Sequence, residues 1–422
     1  MKIDFGCPTL RRLPDALAAI GVLLLGPGVL LACTTGVISG KATVDGRPLL
    51  WKNRDTSAKN NQVVYLADGD YRAMAVITAG GTSSIWMGVN EAGFCIENSV
   101  TRDLSEKDAK GLGNGSFMKK ALLTCATVED FERLLRQTDG SRATAANFGV
   151  IDAEGGAVIF ETSASAHQKF DANDPDVAPK GYVVRSNFSF TGSTEIDLDD
   201  PGQVAEIYSG GRFLRGCSLV DMALADGGAS VTYLLQHNTR DYADAAGNPF
   251  PGSVNGPPGT LPDKIDTTHT ISRKTTVSAA VFHGVRPGED PLLTTMWVML
   301  GEPSFTVAVP CWVGTGEVAE ELLGDKTSPI CDAARALRDA AYVEETNEEG
   351  EETLFLHTSA LPDIWARTLP AERRHLGRAA EAIERWRQDR FDAEEAAALH
   401  HQISLEVHSE LSSIASALAI PR

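Results

Sequence analysis

Residues 28–40 read GVLLACTTGVISG: the chain leaves an apolar segment, passes one cysteine, Cys33, and enters what reads as a strand. Cys33 is then a lipid-attachment point, the first residue of an exported chain, or a buried thiol. Lipidation turns the thiol into a thioether and blocks the new amine, so an anchor and a reactive N-terminal cysteine exclude each other. The remaining residues must arbitrate.

Upstream, the basic pair Arg11-Arg12 precedes an uncharged run over residues 16–32, interrupted by Gly26-Pro27-Gly28. A basic region, an apolar region and a small residue before a cleavage point describe a signal peptide, and the Gly-Pro-Gly break disfavours a spanning helix. Residues 1–32 are therefore expected to be a signal peptide or propeptide, and the protein to be exported to a periplasmic or extracellular location without a stable membrane span. "LLAC" also fits a lipobox, which makes lipid anchoring at Cys33 the minority reading.

The 422 residues carry a net charge of −19, with 43% hydrophobic residues. Such an acidic chain repels phosphate backbones, so no nucleic-acid partner is expected and a small-molecule or peptide-like substrate is favoured. The seven cysteines form no CxxC pair, and no HExxH occurs, so neither a metal site nor a cofactor is implied. Cys95, Cys125, Cys217, Cys311 and Cys331 read as buried free thiols, with one or two disulfides left open by export.

After Cys33 the pattern is one of short strands and turns. "TTGVISGKATVDGRPLLWKNRD" reads as a hairpin through Asp45-Gly46, and "SSIWMGVNEAGFCIENSV" as another turning at residues 90–93. Residues 116–138 read as one helix with a Thr127/Asp130 capping box inside it, and residues 203–237 as mainly helical. The Gly- and Pro-rich residues 241–265 read as a long loop. Strands return over residues 269–310, and from about residue 318 the chain reads as helical to its end, interrupted by "EETNEEGEE". Hairpins, then helices, then strands imply α+β architecture, antiparallel sheets covered by helices. The amphipathic C-terminal helices suit packing on the domain or on a sister subunit, which leaves a homo-oligomer open.

A cysteine needs a base to become a thiolate near neutrality. His269 and His283 lack the local signature of such a base and read as ordinary polar positions. An N-terminal cysteine carries its own base, an α-amine of pKa about 7.7–8.0. Cleavage after Ala32, by signal peptidase or autocatalysis, would create it.

"CTTGVISGKATVDGRPLLWKNRDT" resembles the start of the N-terminal-nucleophile hydrolases of the choloylglycine hydrolase and penicillin acyltransferase branch. "GVNEAGFCIEN", "VVRSNF" and "ISRKTTVSAAVFHGV" resemble that family's later motifs, in family order over residues 33–285. The resemblance implies an αββα four-layer sandwich over residues 33–317, with residues 318–422 a helical extension. It implies hydrolysis of linear C–N amides through a thioester, or acyl transfer to an amine. By the same resemblance Cys33 is the nucleophile and its amine the base. Asp55 orients that amine, Asn98 and Asn187 position the centre and cradle the oxyanion, and Arg273 stabilises the site. The family's choloylglycine members have arginine where this chain has Lys52. Lys52 and Arg54 share one strand face, so which cation approaches Cys33 stays open.

Overall fold

The computed structural model describes residues 32–193, 195–245, 247, 262–347 and 350–418. The signal-peptide reading therefore lies outside the described residues except for Ala32. Most of the Gly/Pro-rich loop lies outside them too.

Alternation and turn residues build the first hairpin. β1 (Ala32–Ile38) and β2 (Leu49–Asp55) pair antiparallel, with Cys33 opposite Arg54 and Thr35 opposite Lys52. Gly46 has φ 76°, a conformation that a residue with a Cβ rarely adopts, which fits the Asp-Gly turn. The meander continues through β3 (Asn61–Leu66), β4 (Ala73–Thr78), β5 (Met87–Asn90) and β6 (Cys95–Val100). Between β5 and β6, Asn90 Oδ1 accepts from the backbone N–H of Ala92 and Phe94, so Asn90 is the turn residue its dipeptide context suggests.

The expected single helix is two. The short β7 (Leu112–Gly113) leads into α1 (Asn114–Thr124), and α2 (Val128–Gln137) starts afresh at Thr127. Thr127 and Asp130 do form a capping box, but as the start of α2: a side chain that satisfies orphan N–H groups marks a terminus. β8 (Arg142–Ala143), β9 (Ala146–Ile151), β10 (Ala157–Thr162), β11 (His167–Asp171) and β12 (Tyr182–Arg185) follow. The helical stretch resolves into α3 (Pro201–Glu206), α4 (Gly210–Ala225) and α5 (Val231–Gln236). β13 (Lys264–Ile265), β14 (Thr276–His283), β15 (Thr295–Leu300) and β16 (Val309–Cys311) return to the sheets.

The C-terminal part departs from the all-helical expectation. Between α6 (Pro329–Ala341) and α7 (Leu361–Gln388) lies a hairpin, β17 (Tyr342–Thr346) and β18 (Glu352–His357), whose strands take in Glu344, Glu345 and Glu352 of the acidic run. It joins β13 in a three-stranded sheet, and α8 (Ala393–Ala417) ends the described chain. Clustered like charges look unstructured in sequence, yet here Lys264 pairs with Glu345, and strand pairing with distant β13 decides.

Two antiparallel sheets stack. One has the order β12-β1-β2-β14-β15-β16, the other β11-β10-β9-β6-β5-β4-β3. β1 and β2 lie over β6 and β9, while α1 packs on β5 and β6. α4 covers β1 and β12, α5 covers β14, and α6 and α8 cover β15 and β16. The architecture is thus the expected α+β, αββα four-layer sandwich. The larger apolar cluster runs from Val37 and Leu50 through Trp312 to Trp386 and Ile403, so the C-terminal helices share the core. A second cluster, with Phe117, Phe131, Phe148 and Phe160, lies under α1 and α2. Cys95, Cys125, Cys311 and Cys331 are buried free thiols, whereas Cys217 is disulfide-bonded and departs from that reading. No helix among the described residues is long and apolar enough to cross a membrane.

Candidate active site

Cys33 is the second residue of β1, only 5% exposed. Its backbone N–H donates to Asn187 Oδ1 at 2.8 Å, just beyond the end of β12. Arg212, in the first turn of α4, donates from Nη1 to Cys33 O (2.6 Å) and Thr34 Oγ1 (2.8 Å), and from Nη2 to Asn187 Oδ1 (2.7 Å). Two obligate donors thus meet Asn187 Oδ1, while its Nδ2 donates to Val100 O at 2.8 Å. Asn187 thus accepts twice through Oδ1 and uses one of its two amide N–H donors on Val100 O, so it holds the Cys33 backbone in place.

The turn before α4 is shaped for this. Ser209 is left-handed at φ 70°, a strained state for a residue with a side chain, and its Oγ accepts from the Asn187 N–H at 2.9 Å. Gly210 follows it, where a Cβ would stand 1.7 Å from Val204 O. Only glycine fits there.

Lys52 and Arg54 lie on the Cys33 face of β2, as the period-two reading requires. Lys52 is the cation that acts more strongly on the thiol. Arg54 instead turns its guanidinium to Asn61 and Thr78 and over the Trp86 ring, 4.5 Å from its centroid. Lys52 Nζ donates to Trp86 O (2.8 Å) and Asn98 Oδ1 (2.9 Å), just past the last β5–β6 pair, Met87 opposite Glu97. With Oδ1 so held, Asn98 Nδ2 is buried and has no hydrogen-bond partner among the described residues.

Glu97 supplies the buried counter-charge. It accepts from Thr35 Oγ1, and burial pushes its carboxyl up to about 7 despite Lys52. Gly149 lies against it: a Cβ there would come 2.2 Å from Glu97 Oε1. Burial likewise lowers the Lys52 ammonium pKa, opposed by Cys33 and Glu97, and raises the Cys33 thiol, opposed first by Lys52.

Asp55, at the end of β2, stands opposite Ala32 in the β1–β2 register. Thr276 Oγ1 donates to its Oδ1 at 2.6 Å. Its Oδ2 lies 3.6 Å from Arg273 Nε and has no hydrogen-bond partner among the described residues. Burial raises the carboxyl, with Arg273 and Arg212 pulling it down. Arg273 sits in the turn before β14 and not in the strand itself; the turn is closed by Thr276 N donating to Arg273 O.

The fold thus brings Cys33, Lys52, Asp55, Asn98, Asn187 and Arg273 to one end of the sandwich and turns Arg54 aside. Arg212, Glu97 and Ser209 were missed. No local signal marks a helical arginine whose partners lie far off in sequence. His283 pairs with Asp45 at 2.8 Å, at the far end of β2's first-strand hairpin. Beyond Asp55 a cleft of about 520 Å³ opens, with Lys59, Asn60, Thr78, Arg335 and Asp339 in its walls. Among the described residues no group of three or more His, Cys, Asp or Glu is placed to hold a metal.

Two stacked antiparallel sheets between helical layers make an αββα sandwich, with Cys33 near the head of an inner strand. Among solved structures, the chain is similar to the Caenorhabditis elegans N-acylethanolamine-hydrolyzing acid amidase ortholog (12% identity, 61% of this chain and 92% of that one, TM-score 0.38). It is similar to penicillin V acylase from Agrobacterium tumefaciens (14%, 64% and 83%, TM-score 0.37). It is also similar to a mutant conjugated bile acid hydrolase from Clostridium perfringens (12%, 63% and 89%, TM-score 0.36). No protein-family model matches the chain, and no curated protein matches it in sequence.

Proposed function

We propose that the protein is an exported cysteine amidohydrolase, cleaving linear C–N amides with Cys33 as nucleophile after cleavage between Ala32 and Cys33. One observation carries this: Asp55 is buried opposite Ala32, beside the bond to be cut, and among the described residues its Oδ2 has the Arg273 guanidinium at 3.6 Å but no hydrogen-bond partner. A buried carboxylate oxygen without a partner is costly, and an ammonium or amine there would satisfy it. Asn187 Oδ1 already accepts from the same nitrogen.

In this reading the amine takes the thiol proton and the thiolate attacks the amide carbonyl. The oxyanion accepts from Asn98 Nδ2, the donor left free because Lys52 holds the other end of the amide. The protonated amine passes its proton to the leaving nitrogen, the C–N bond breaks and a Cys33 thioester remains. A water, deprotonated by the same amine, attacks the thioester and releases the acid and the free thiol. Lys52 stabilises the thiolate, Asp55 orients the amine, and Arg212 and Asn187 hold the Cys33 backbone.

Intact-mass analysis of the mature protein tests the premise. A chain starting at a free Cys33 is expected; a diacylglyceryl adduct on Cys33, or an uncut chain, overturns it. Cys33→Ala is expected to fold, shown by an unchanged circular dichroism spectrum, and to form no covalent acyl adduct with an activated ester that acylates the wild type.

A further inference from the structure

Glu302, just before the 3-10 turn at residues 303–305, is fully buried between four groups from three separate parts of the chain. Tyr242 OH donates to its Oε1 at 2.6 Å, Tyr342 OH at 3.0 Å and Ser272 Oγ at 3.4 Å, while Arg338 Nε stands 3.5 Å from Oε2. Arg338 also donates through Nη2 to Lys274 O, and its guanidinium carbon lies 4.4 Å from the Tyr342 ring centroid. Tyr342 OH is 3.3 Å from Thr267 Oγ1, which accepts from Lys274 N at 2.9 Å. On β18, Thr353 accepts from Lys274 Nζ.

Three of these contacts tie the cluster to the segment 267–276: Ser272 Oγ on Glu302, the Lys274 carbonyl under Arg338, and Thr267 Oγ1 beside Tyr342 OH. That segment carries Arg273 and Thr276, the two residues that touch Asp55. Arg338 and Tyr342 belong to α6 and β17, in the region beyond residue 318 that the sequence motifs around Cys33 do not reach. A turn that fixes a carboxylate must itself be fixed, and two long-range donors on one buried glutamate do so with little conformational freedom.

We propose that Arg338 and Tyr342 are positioning residues of the Cys33 site, holding the Arg273–Thr276 turn against Asp55 through Glu302 and the Lys274 carbonyl. The C-terminal region is then part of the reacting site's support. This rests on Cys33 being the nucleophile.

The test follows Cys33 alkylation by iodoacetamide across pH, with mass spectrometry of the Cys33 peptide and of the Cys95 peptide as an inert reference. Arg338→Met and Tyr342→Phe are expected to slow Cys33 alkylation about ten-fold at neutral pH and move its pH midpoint upward, as Asp55 loses its register with the amine. Arg338→Lys, which keeps a donor and a charge beside Glu302, is expected to recover most of the rate. Arg367→Met, which removes only the α7–α8 contacts with Glu410 and Ser413, is expected to leave rate and midpoint unchanged. Unchanged midpoints in both Arg338→Met and Tyr342→Phe overturn the proposal, and if Arg338→Met fails to fold, Tyr342→Phe decides alone. Wild-type Cys33 reacting no faster than Cys95 overturns the nucleophile reading, and this proposal with it.

Discussion

Asn98 shows how one side chain can be divided between two tasks. Its oxygen is tied to Lys52, while its nitrogen is buried with no hydrogen-bond partner among the described residues. Removing that donor in Asn98→Ala is expected to lower kcat by about 100- to 1,000-fold, or about 3–4 kcal/mol of transition-state stabilisation, with little change in KM. Steady-state kinetics on any amide the enzyme turns over checks this. Equal loss in KM and none in kcat would assign Asn98 to ground-state binding. The asparagines and Asp55 were legible because their motifs are local in sequence. The division of labour was not: whether Asn187 donates or accepts depends on Arg212 and Val100, which only folding brings to it. The same holds for the cation. Two basic residues on one strand face are equivalent in sequence, and the Trp86 ring and Thr78 remove one of them.

Among the elements, α8 is held by a histidine with a defined tautomer. His400 Nδ1–H donates to Pro310 O at 2.8 Å, so Nε2 is the acceptor for Ala319 N–H at 3.0 Å. Protonation would break the second bond, and burial lowers the imidazole pKa to about 4. The unfolded chain binds this proton below about 6.5, the folded chain only below about 4. Stability from this group is therefore present above pH 6.5 and lost as pH falls to about 4, a change on the order of 3 kcal/mol. Urea titrations at a series of pH values should show that slope, and His400→Gln should flatten it; an equal slope in the variant would count against this assignment. At this scale the sequence read termini well where chemistry is local, as at Thr127, but placed that cap inside a helix instead of at its start. It missed the β17–β18 hairpin because an acidic run gives no period-two signal, and its third strand, β13, lies about 90 residues upstream.

Across the molecule, the C-terminal helices are joined to the sandwich by burial as well as by shape. Trp312 on the sheet side meets Trp386 of α7 edge-on, 5.3 Å between ring centroids. Glu372 of α7 takes both Arg240 Nη1 (2.9 Å) and Nη2 (2.7 Å) and also accepts from Ala308 N (3.0 Å), all in the interior. Removing one member of a buried ion pair strands the other charge, so Glu372→Gln is expected to cost about 3–5 kcal/mol in urea unfolding. A loss within experimental error would mean that Arg240 finds other acceptors, such as Pro303 O and Thr306 O, sufficient. Deleting residues from 361 onward would strand the same arginine and uncover Trp312, and is expected to yield no soluble folded protein.

The sequence by itself determined what neighbours along the chain determine: a cysteine at the head of a strand, a hairpin through Asp45-Gly46, the strand alternation of β2, and the order of the motifs carrying Asp55, Asn98, Asn187 and Arg273. Periodicity and turn chemistry act over a few residues, and those are visible in one dimension. Tertiary structure alone decided that Lys52 rather than Arg54 faces the thiol, that Arg212 clamps the Cys33 backbone, that Asn98 keeps a free donor, and that Glu302 ties α6 and β17 to the turn beside Asp55. Each of these is a choice of partner between segments that the local sequence pattern does not link, made by burial, which penalises any polar group left unsatisfied and leaves no trace in local spacing.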